Sequence, residues 1–323
     1  MIAAVARVLP VRGSRRASAT SPLVWLALGT VYLLWGSTYL GIRLSLDGIP
    51  PLLMGSARFL LAGGLLAAWT IARGDWKTEP ITGAQWLAAA GVGVALLLGG
   101  NGGVILGEQF VPSGVAALCV ATAPMWMAII DRVVFGQRLH RLGILGLIVG
   151  FGGVVLLVGL PGGEHLDWRG IALCLAAPIC WASGSVFSRH VPLPRRPLIG
   201  SAIEMLSAGS LFLLLSLLTA EPGRVHPATI PPHALAAVLY LVVFGSIVGF
   251  SAYAWLLRNA PLPLVSTYAY VNPVVAVILG ALVLREAVGG RTLLAGGVIV
   301  AGVILILTSR LIPQARPAAH ARS

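Results

Sequence analysis

Long apolar runs alternate with short polar connections along almost the whole chain. Ten of these runs approach the length of about 20 residues that an α-helix needs to cross a bilayer. Several connections contain proline or glycine, which favour turns between helices. The pattern predicts an all-α integral membrane protein with ten transmembrane helices, near Leu23–Leu44, Leu52–Ala72, Ala84–Leu106, Ser113–Phe135, Leu142–Leu160, Gly170–Ser188, Leu198–Ala220, Ala234–Leu257, Leu262–Leu284 and Thr292–Leu311.

The basic residues lie mainly on one side of these predicted spans. Sixteen of the 22 Lys and Arg residues fall on that side, five fall on the other, and Arg58 lies inside a span. Acidic residues such as Asp47, Glu108 and Glu286 fall on the side with fewer basic residues. Because cytoplasmic loops are enriched in Lys and Arg, this count predicts that both termini are cytoplasmic.

The segments at the two ends fit the same orientation. Residues 1–21 are basic, and the apolar run after them is too long for the core of a signal peptide and lacks a clear cleavage site. We therefore expect a retained first span, a cytoplasmic segment 1–21, a cytoplasmic tail 312–323, and a multi-pass location in the inner membrane.

Composition supports lipid rather than water as the surrounding medium. Hydrophobic residues make up 58% of the chain and charged residues 10%, whereas soluble domains carry about 25% charged residues. The net charge of +12 does not indicate nucleic acid, because the basic residues lie between apolar runs, where they suit anionic lipid headgroups. The cysteines and histidines show no metal-ligand spacing, and no phosphate-binding glycine motif occurs, so we expect no cofactor.

The chain contains an internal repeat. The segment Trp35–Arg43 (WGSTYLGIR) matches Trp181–Arg189 (WASGSVFSR) at a shift of 146 residues (181 − 35), which also aligns Gly63 with Gly209. Later in each half, Pro112–Pro124 matches Pro261–Pro273 at a shift of 149 residues (261 − 112). Two blocks in the same order predict two related halves, 22–160 and 168–311.

Each predicted half has five spans, so the second half enters the membrane from the opposite side. Inverted repeats of this kind are a recurring plan of secondary transporters, with the substrate site near the bilayer midplane between the repeats. The sequence therefore predicts two inverted five-helix repeats around a central cavity.

Several segments resemble one family. They are Trp35–Arg43, Pro50–Phe59, the long stretch Asn101–Asp131, Asn272–Gly280 and the pair Arg285–Glu286. With them the chain resembles the drug/metabolite transporter superfamily, specifically its EamA-type exporters and their YedA-like members. The resemblance implies ten helices in two EamA repeats and export or exchange of small metabolites, such as amino acids or related compounds. One departure is that Gly136–Gln137 stands where the second half has Arg285–Glu286, so no shared role is assigned to this pair.

Two charged residues are predicted at membrane depth. Arg58 and Glu204 each lie about seven residues into a span, and these two spans run in opposite directions. A charge inside the bilayer costs at least about 2.5–3.5 kcal/mol on insertion scales, which makes both residues candidates for substrate or proton binding. The alternatives are that Arg58 extends to the interface and that Glu204 caps a neighbouring helix.

Aromatic and polar residues are predicted near the midplane. Trp35 and Trp181 are equivalent by the repeat, and Tyr39 and Ser185 lie one turn after them on the same helix faces. An aromatic surface with polar edges suits a metabolite pocket, although ordinary packing of large side chains is the alternative.

Two prolines are candidate breaks in the fourth span of each half. A proline inside a helix removes a backbone hydrogen bond, and such breaks line the site or act as bends in transporters. Packing alone is the alternative explanation. The residues concerned are Pro124 and Pro273, flanked by Trp126, Tyr270 and Asn272, with Asn101 adding a polar group from the third span.

These observations favour a secondary transporter of small metabolites that works by alternating access and is not an enzyme. The expected partners are a small-molecule substrate, membrane lipids and, as a candidate, a proton, with no nucleic acid. A facilitator without ion coupling remains an alternative, as does a membrane enzyme or scaffold bundle. Monomer and homodimer are both left open.

Overall fold

The computed structural model describes residues 22–78, 80–136, 140–158, 167–260, 262–265 and 267–309. The predicted N-terminal segment 1–21 and the tail 312–323 lie outside the described residues. Within the described part, the chain is helical apart from its connections. The helices are α1 Pro22–Ser45, α2 Pro51–Ala72, α3 Asp75–Thr78, α4 Gly83–Gly93, α5 Gly102–Gly107, α6 Ser113–Val120, α7 Ala123–Phe135, α8 Arg141–Val158, α9 Trp168–Phe187, α10 Pro197–Leu218, α11 Pro232–Tyr240, α12 Gly249–Asn259, α13 Leu262–Val265, α14 Tyr268–Val283 and α15 Gly290–Ser309.

Eight helical runs in the described residues are long and apolar enough to cross a membrane. Two shorter apolar helices, Arg141–Leu157 and Val271–Val283, fall on the fifth and ninth predicted spans. The all-helical membrane class is therefore confirmed, while the count of ten spans stays a prediction. The eight long runs are Pro22–Ser45, Pro51–Ala72, Gly83–Gly107, Ser113–Phe135, Trp168–Phe187, Pro197–Leu218, Pro232–Tyr253 and Gly290–Ser309.

The outer surface of the helices is apolar. Large hydrophobic side chains such as Leu26, Leu87, Val133, Leu218 and Leu282 are exposed on different helices. Apolar surface spread over the outside of a bundle suits contact with lipid tails, where the helices satisfy their own backbone hydrogen bonds.

A π-helical segment interrupts the third span of each half. The first, Val94–Asn101, joins α4 to α5, and the second, Leu241–Val248, joins α11 to α12. The π-helix is rare and occurs mostly at functional sites. Its appearance at matching places in both halves shows that the repeat extends to an unusual backbone feature.

The equivalent helices α2 and α10 pack against each other in opposite directions. A Cβ atom built on Gly63 would lie 2.9 Å from the backbone nitrogen of Leu206, and one built on Gly209 would lie 2.8 Å from that of Leu60. Both positions therefore need glycine. The repeat aligns Leu60 with Leu206 and Gly63 with Gly209, so these two contacts are images of each other.

The helices α8 and α15 form a second antiparallel pair of the same kind. A Cβ atom on Gly153 would lie 2.8 Å from the backbone nitrogen of Ile299, and one on Gly302 would lie 2.5 Å from the Cα of Gly150. At the shift of 149 residues, Gly153 corresponds to Gly302 and Gly150 to Ile299. Small residues again let two helix backbones touch, as is common in membranes.

Two carboxylates from the second half cap helices of the first half. α2 and α6 begin after Pro50 and Pro112, which provide no side-chain cap. Glu221, only 4% exposed, accepts hydrogen bonds from the backbone nitrogens of Leu52 (3.3 Å) and Leu53 (2.7 Å). The carboxylate thus satisfies amide groups that the helix itself leaves unpaired.

Glu286 does the same for α6. Its carboxylate accepts hydrogen bonds from the backbone nitrogens of Ser113 (2.9 Å) and Gly114 (3.3 Å) and from the Ser113 hydroxyl (2.9 Å). The sequence assigned this residue only to a connection. The structure gives it a defined contact across the two halves.

Candidate substrate cavity

An open central cavity lies between the two halves. Helices α1, α2, α5 and α6, the end of the first π-helical segment and the start of α7 line it from the first half, and α9, α12 and α14 line it from the second. Its walls combine apolar and aromatic side chains with a few polar groups, which is the usual composition of a small-molecule pocket. Among the predicted site residues, the lining includes Trp35, Tyr39, Arg58, Asn101, Trp181, Asn272 and Pro273.

Trp35 lies at the centre of an aromatic cluster. Its ring centroid is 4.9 Å from that of Tyr253, 5.3 Å from those of Phe250 and Tyr268, and 5.9 Å from that of Trp181. Edge-to-face arrangements dominate, which is the favourable geometry for such rings. The cluster joins α1 to three helices of the second half and gives the cavity a rigid apolar wall.

Glycines in the third spans make room for the two equivalent tryptophans. A Cβ atom on Gly249 would lie 2.6 Å from Nε1 of Trp35, and one on Gly100 would lie 3.1 Å from the ring of Trp181. Gly100 lies next to the end of the first π-helical segment, and Gly249 directly follows the second. Each tryptophan therefore packs on a glycine near the end of the π-helical segment of the opposite half.

Arg58 brings a positive charge to the cavity. Its side chain is 1% exposed, and its Nε donates a hydrogen bond to the Ser246 hydroxyl at 3.0 Å. Ser246 belongs to the second π-helical segment. Nη1 of Arg58 is buried and has no hydrogen-bond partner among the described residues. The guanidinium of Arg58 is therefore buried inside the protein, and it has a donor group without a partner among the described residues.

Two amides supply neutral polar groups to the lining. Asn101 ends the first π-helical segment, and its Nδ2 donates a hydrogen bond to the Leu96 carbonyl at 3.5 Å. Asn272 is 6% exposed and precedes Pro273 within α14. The amides come from opposite halves and are suited to neutral hydrogen bonds with a bound molecule.

The sequence predicted that Pro124 and Trp126 line the cavity, but neither residue does so. A turn at Ala121–Thr122 separates α6 from α7, and Pro124 lies in the first turn of α7. Trp126 packs edge-to-face on Phe151 of α8, with ring centroids 5.3 Å apart.

Ser185 and Glu204 also lie outside the lining of this cavity. Ser185 is half-buried, one turn beyond Trp181 on α9. Glu204 is half-buried on α10, where a Cβ atom on Gly93 would lie 2.4 Å from its carbonyl oxygen, so this stretch of α10 packs on α4 rather than on the cavity. Tyr270 belongs to α14, but its side chain lies outside the described part of the chain.

Glu108 is a buried acidic residue that the sequence analysis did not select as a candidate site residue. It ends α5 and is fully buried, and neither carboxylate oxygen has a hydrogen-bond partner within the described residues. The sequence placed it in an outer connection. The sequence signal that could have indicated this burial is the pair Gly103 and Gly107, because small residues one turn apart allow another helix to approach. A Cβ atom on Gly107 would lie 2.4 Å from Sγ of Cys174, so α9 covers the end of α5.

The charge state of Glu108 is set by opposing influences. Glu108 lies one residue beyond the span Gly83–Gly107. Burial, and secondarily the charge of Glu286, raise the pKa of its carboxyl well above the ordinary range, while Arg43 and Arg58 act to lower it. Burial is the largest of these effects. Arg43 also donates a hydrogen bond to the backbone carbonyl of Glu108.

A bundle of apolar helices around an aromatic cavity with a buried arginine defines a polytopic membrane protein built to hold a small molecule. The family profile described as "EamA-like transporter family" matches the chain twice, over residues 22–159 and 168–308. The chain belongs to this family and carries two copies of its repeat.

Named relatives agree with the family. The chain is 40% identical over 297 residues to the "uncharacterized inner membrane transporter YedA" of Escherichia coli K12, covering 90% of this chain and 92% of that protein. It is 27% identical over 285 residues to a "probable amino-acid metabolite efflux pump" of Salmonella typhimurium, covering 85% and 91%. A crystal structure with 22% identity and a TM-score of 0.63, covering 89% of this chain and 98% of the other, shares the fold. Family and relatives point to a transporter rather than an enzyme.

Proposed function

We propose that this protein is a secondary transporter that exports or exchanges small carboxylates with an apolar or aromatic body, by alternating access across the inner membrane. The observation that carries the proposal is the cavity itself. It combines a buried Arg58 whose Nη1 is unpaired with a wall of aromatic rings.

Arg58 supports the carboxylate part of this substrate class. A buried donor without a partner is unfavourable by about 1–3 kcal/mol, and a bound carboxylate would satisfy it with a charge-assisted hydrogen bond. The aromatic cluster around Trp35 supports the apolar part, because rings bury area at low cost in conformational entropy. A relative bears the name "probable amino-acid metabolite efflux pump", which is compatible with this substrate class.

Alternating access is supported by how the halves pack. The pairs α2/α10 and α8/α15 each bring equivalent helices together in opposite directions, as two inverted repeats of five spans would do.

The excess of Lys and Arg on one side supports cytoplasmic termini. A cysteine introduced next to Arg316 should therefore stay unlabelled by an impermeant maleimide in intact cells. Labelling without permeabilisation would contradict this orientation.

The substrate class is tested by thermal shift of the purified full-length protein with three probes. Phenylacetate carries a ring and a carboxylate, L-phenylalanine adds an ammonium group, and phenethylamine lacks the carboxylate. The first two should raise the unfolding temperature because they bind the folded state, and phenethylamine should not. Arg58→Gln should abolish the shift. The control Arg73→Gln changes an exposed arginine after α2 and should keep it.

Flux separates the transporter from the alternatives. Phenylacetate loaded into proteoliposomes should leave faster with the parent protein than with Arg58→Gln. Binding without flux would favour a scaffold, and a covalent product of the probe would favour a membrane enzyme. Flux that does not respond to an imposed pH gradient would favour a facilitator without ion coupling. A shift with phenethylamine alone would overturn the carboxylate class.

A further inference from the structure

The fourth spans of the two halves, α6–α7 and α13–α14, meet at the end that the distribution of basic residues assigns to the outside. A Cβ atom on Gly114 of α6 would lie 3.0 Å from Cγ2 of Val277 of α14. One on Gly280 would lie 2.8 Å from the hydroxyl oxygen of Ser113, which is fully buried. Val120, about two helical turns deeper in α6, lines the cavity. The contact therefore closes the outer end of the cavity between α6 and α14.

Glu286 fastens this contact. Its carboxylate accepts three hydrogen bonds from the first turn of α6, two from backbone amides and one from the Ser113 hydroxyl. Arg285, just before it, has a φ of +54°, a left-handed conformation that is unfavourable for a residue with a Cβ atom. The backbone nitrogens of Leu284 and Glu286 both donate to the Gly280 carbonyl at 3.1 Å, which ends α14 in a tight turn. The contact with α6 thus holds a strained turn in place.

The same kind of turn recurs at equivalent places of the repeat. Four residues with a positive φ follow span-forming helices, and each is followed by an acidic residue or a glutamine. The pairs, aligned at shifts of 146 and 149 residues, are Gly74–Asp75 and Gly136–Gln137 in the first half and Ala220–Glu221 and Arg285–Glu286 in the second. In the first half, on the cytoplasmic side, the left-handed residue is glycine, which adopts this conformation without strain. The strained turns are those on the outer side, where both glutamates cap helices of the first half.

The equivalent groups at the cytoplasmic end of the fourth spans are poorer hydrogen-bonding partners. Gln137, which lies outside the described residues, stands at the position of Glu286 and is uncharged. Leu262 and Pro263 stand where α6 begins with a serine and a glycine, so this end lacks the hydroxyl and one backbone N–H. Hydrogen bonds to a charged acceptor are stronger than those to a neutral one. The sequence therefore favours closure at the outer end over closure at the cytoplasmic end.

The helix that Glu221 caps is held differently from α6. α2 is joined to α10 by its cap and also by the contacts of Gly63 and Gly209 along the pair. α6 has eight residues and ends at the turn Ala121–Thr122, beside the cavity. Such a turn can serve as a hinge, because a few residues at the end of an element absorb a change in backbone angles. Glu221 therefore belongs to a fixed pair of helices, and Glu286 to a pair that is able to open.

We propose that Glu286 and the first turn of α6 form an outer gate, which is closed in this structure and opens to release the substrate to the outside. The proposal rests on the alternating access argued above. Opening breaks the hydrogen bonds to Glu286, allows Arg285 to leave its left-handed conformation, and moves α6 away from α14 about the turn Ala121–Thr122. Because the outer end closes better than the cytoplasmic end, the empty transporter is set to receive its substrate from the cytoplasm, as an exporter requires.

Labelling of a cysteine inside the cavity tests the gate without any substrate. Val120→Cys places a thiol on α6 in the lining, and an impermeant maleimide is applied to intact cells. We expect slow labelling in the parent background. With Glu286→Ala labelling should be faster by about tenfold or more, because the closed state loses its hydrogen bonds to a charged group. The same proteins without Val120→Cys correct for the native cysteines.

Glu221→Ala is the matched control, since it removes a carboxylate cap of the same kind on the same side of the membrane. It should lower the unfolding temperature and leave the labelling rate unchanged. Equal rates in the parent and Glu286→Ala, or an equal rise with Glu221→Ala, overturn the proposal. If Glu286→Ala does not fold, Ser113→Ala takes its place: it removes only the hydroxyl bond and should give a smaller rise, and no rise overturns the gate.

A cross-link across the contact separates the gate from the proposed substrate. A Cβ atom on Gly114 would lie 3.7 Å from Cβ of Val277, within the range of about 3.5–4.5 Å that a disulfide needs. Oxidation of the Gly114→Cys/Val277→Cys protein in proteoliposomes should stop phenylacetate flux and keep the thermal shift, and reduction should restore flux. Flux that continues after complete cross-linking overturns the gate. Absence of flux in the parent counts against the proposed function instead, and the labelling rates then decide on the gate alone.

Discussion

At the scale of single residues, the proposed substrate class depends on Trp35 and Arg58, which both line the cavity. Trp35 is 7% exposed and contacts four other aromatic rings, so its position is fixed by the protein before any ligand arrives. Arg58 is fixed by its hydrogen bond to Ser246. A site assembled in advance loses little conformational entropy on binding, which favours affinity for a small molecule.

Replacement of Trp35 by alanine should weaken phenylacetate binding. One aromatic contact contributes about 0.5–1.5 kcal/mol beyond its buried area, so we expect an affinity lower by about two- to tenfold or more. The affinity would be measured by titrating phenylacetate and following thermal unfolding with a signal other than tryptophan fluorescence. Trp126→Ala is the matched control, since Trp126 packs on Phe151 outside the lining, and its affinity should stay within twofold of the parent value. Equal losses in the two variants would contradict the position of the site.

The sequence located four of the lining residues, two of them through the repeat and two through their depth in a span. Trp35, Trp181, Asn101 and Asn272 line the cavity because helical phase and depth are set locally by the spans that carry them. Glu108 escaped prediction because its burial depends on the approach of α9 to glycines of α5, a contact between distant parts of the chain. Local patterns report which face of a helix is apolar, but not which neighbour will cover its end.

At the scale of elements, breaks in helices decide which side chains reach the cavity. The turn at Ala121–Thr122 separates α6, whose Ala117 and Val120 line the cavity, from α7, on which Trp126 packs against Phe151 instead. The π-helical segments contribute two polar side chains. Asn101, in the first segment, lines the cavity, and Ser246, in the second, accepts a hydrogen bond from Arg58. Apolar periodicity does not distinguish an α-helical turn from a wider π-helical turn, so neither feature could be deduced from hydropathy.

The cap that Glu286 provides for α6 should contribute measurably to stability. Replacing Glu286 by alanine leaves the amides of Ser113 and Gly114 without their acceptor, and we expect a loss of about 1–3 kcal/mol in the free energy of unfolding. Glu286→Gln keeps an acceptor oxygen and should lose less. Thermal unfolding in detergent would measure both variants. Equal unfolding temperatures for the parent protein and Glu286→Ala would show that the cap is not needed.

At the scale of the whole molecule, glycines hold the two halves together. Gly302 meets the backbone of Gly150 on α8, whereas Gly297, on the same helix, has nothing near the position of a Cβ atom. Gly302→Ala should therefore destabilise the protein by about 1–3 kcal/mol through overpacking. Gly297→Ala should be neutral or slightly stabilising, because alanine favours helix. Melting curves of the two variants, measured side by side, test the contact, and a stable Gly302→Ala protein would refute it.

The paired contacts of α2 with α10 have a consequence for ancestry. Because Gly63 meets Leu206 just as Gly209 meets Leu60, α2 presents a face that fits its equivalent helix α10 running in the opposite direction. A shorter chain with only one such half would need no second gene to assemble: two identical molecules, inserted in opposite orientations, would supply both sides of the interface. Fusion of the two copies would then have allowed each half to change separately. The repeat aligns Arg58 with Glu204, and this difference in charge is one such divergence.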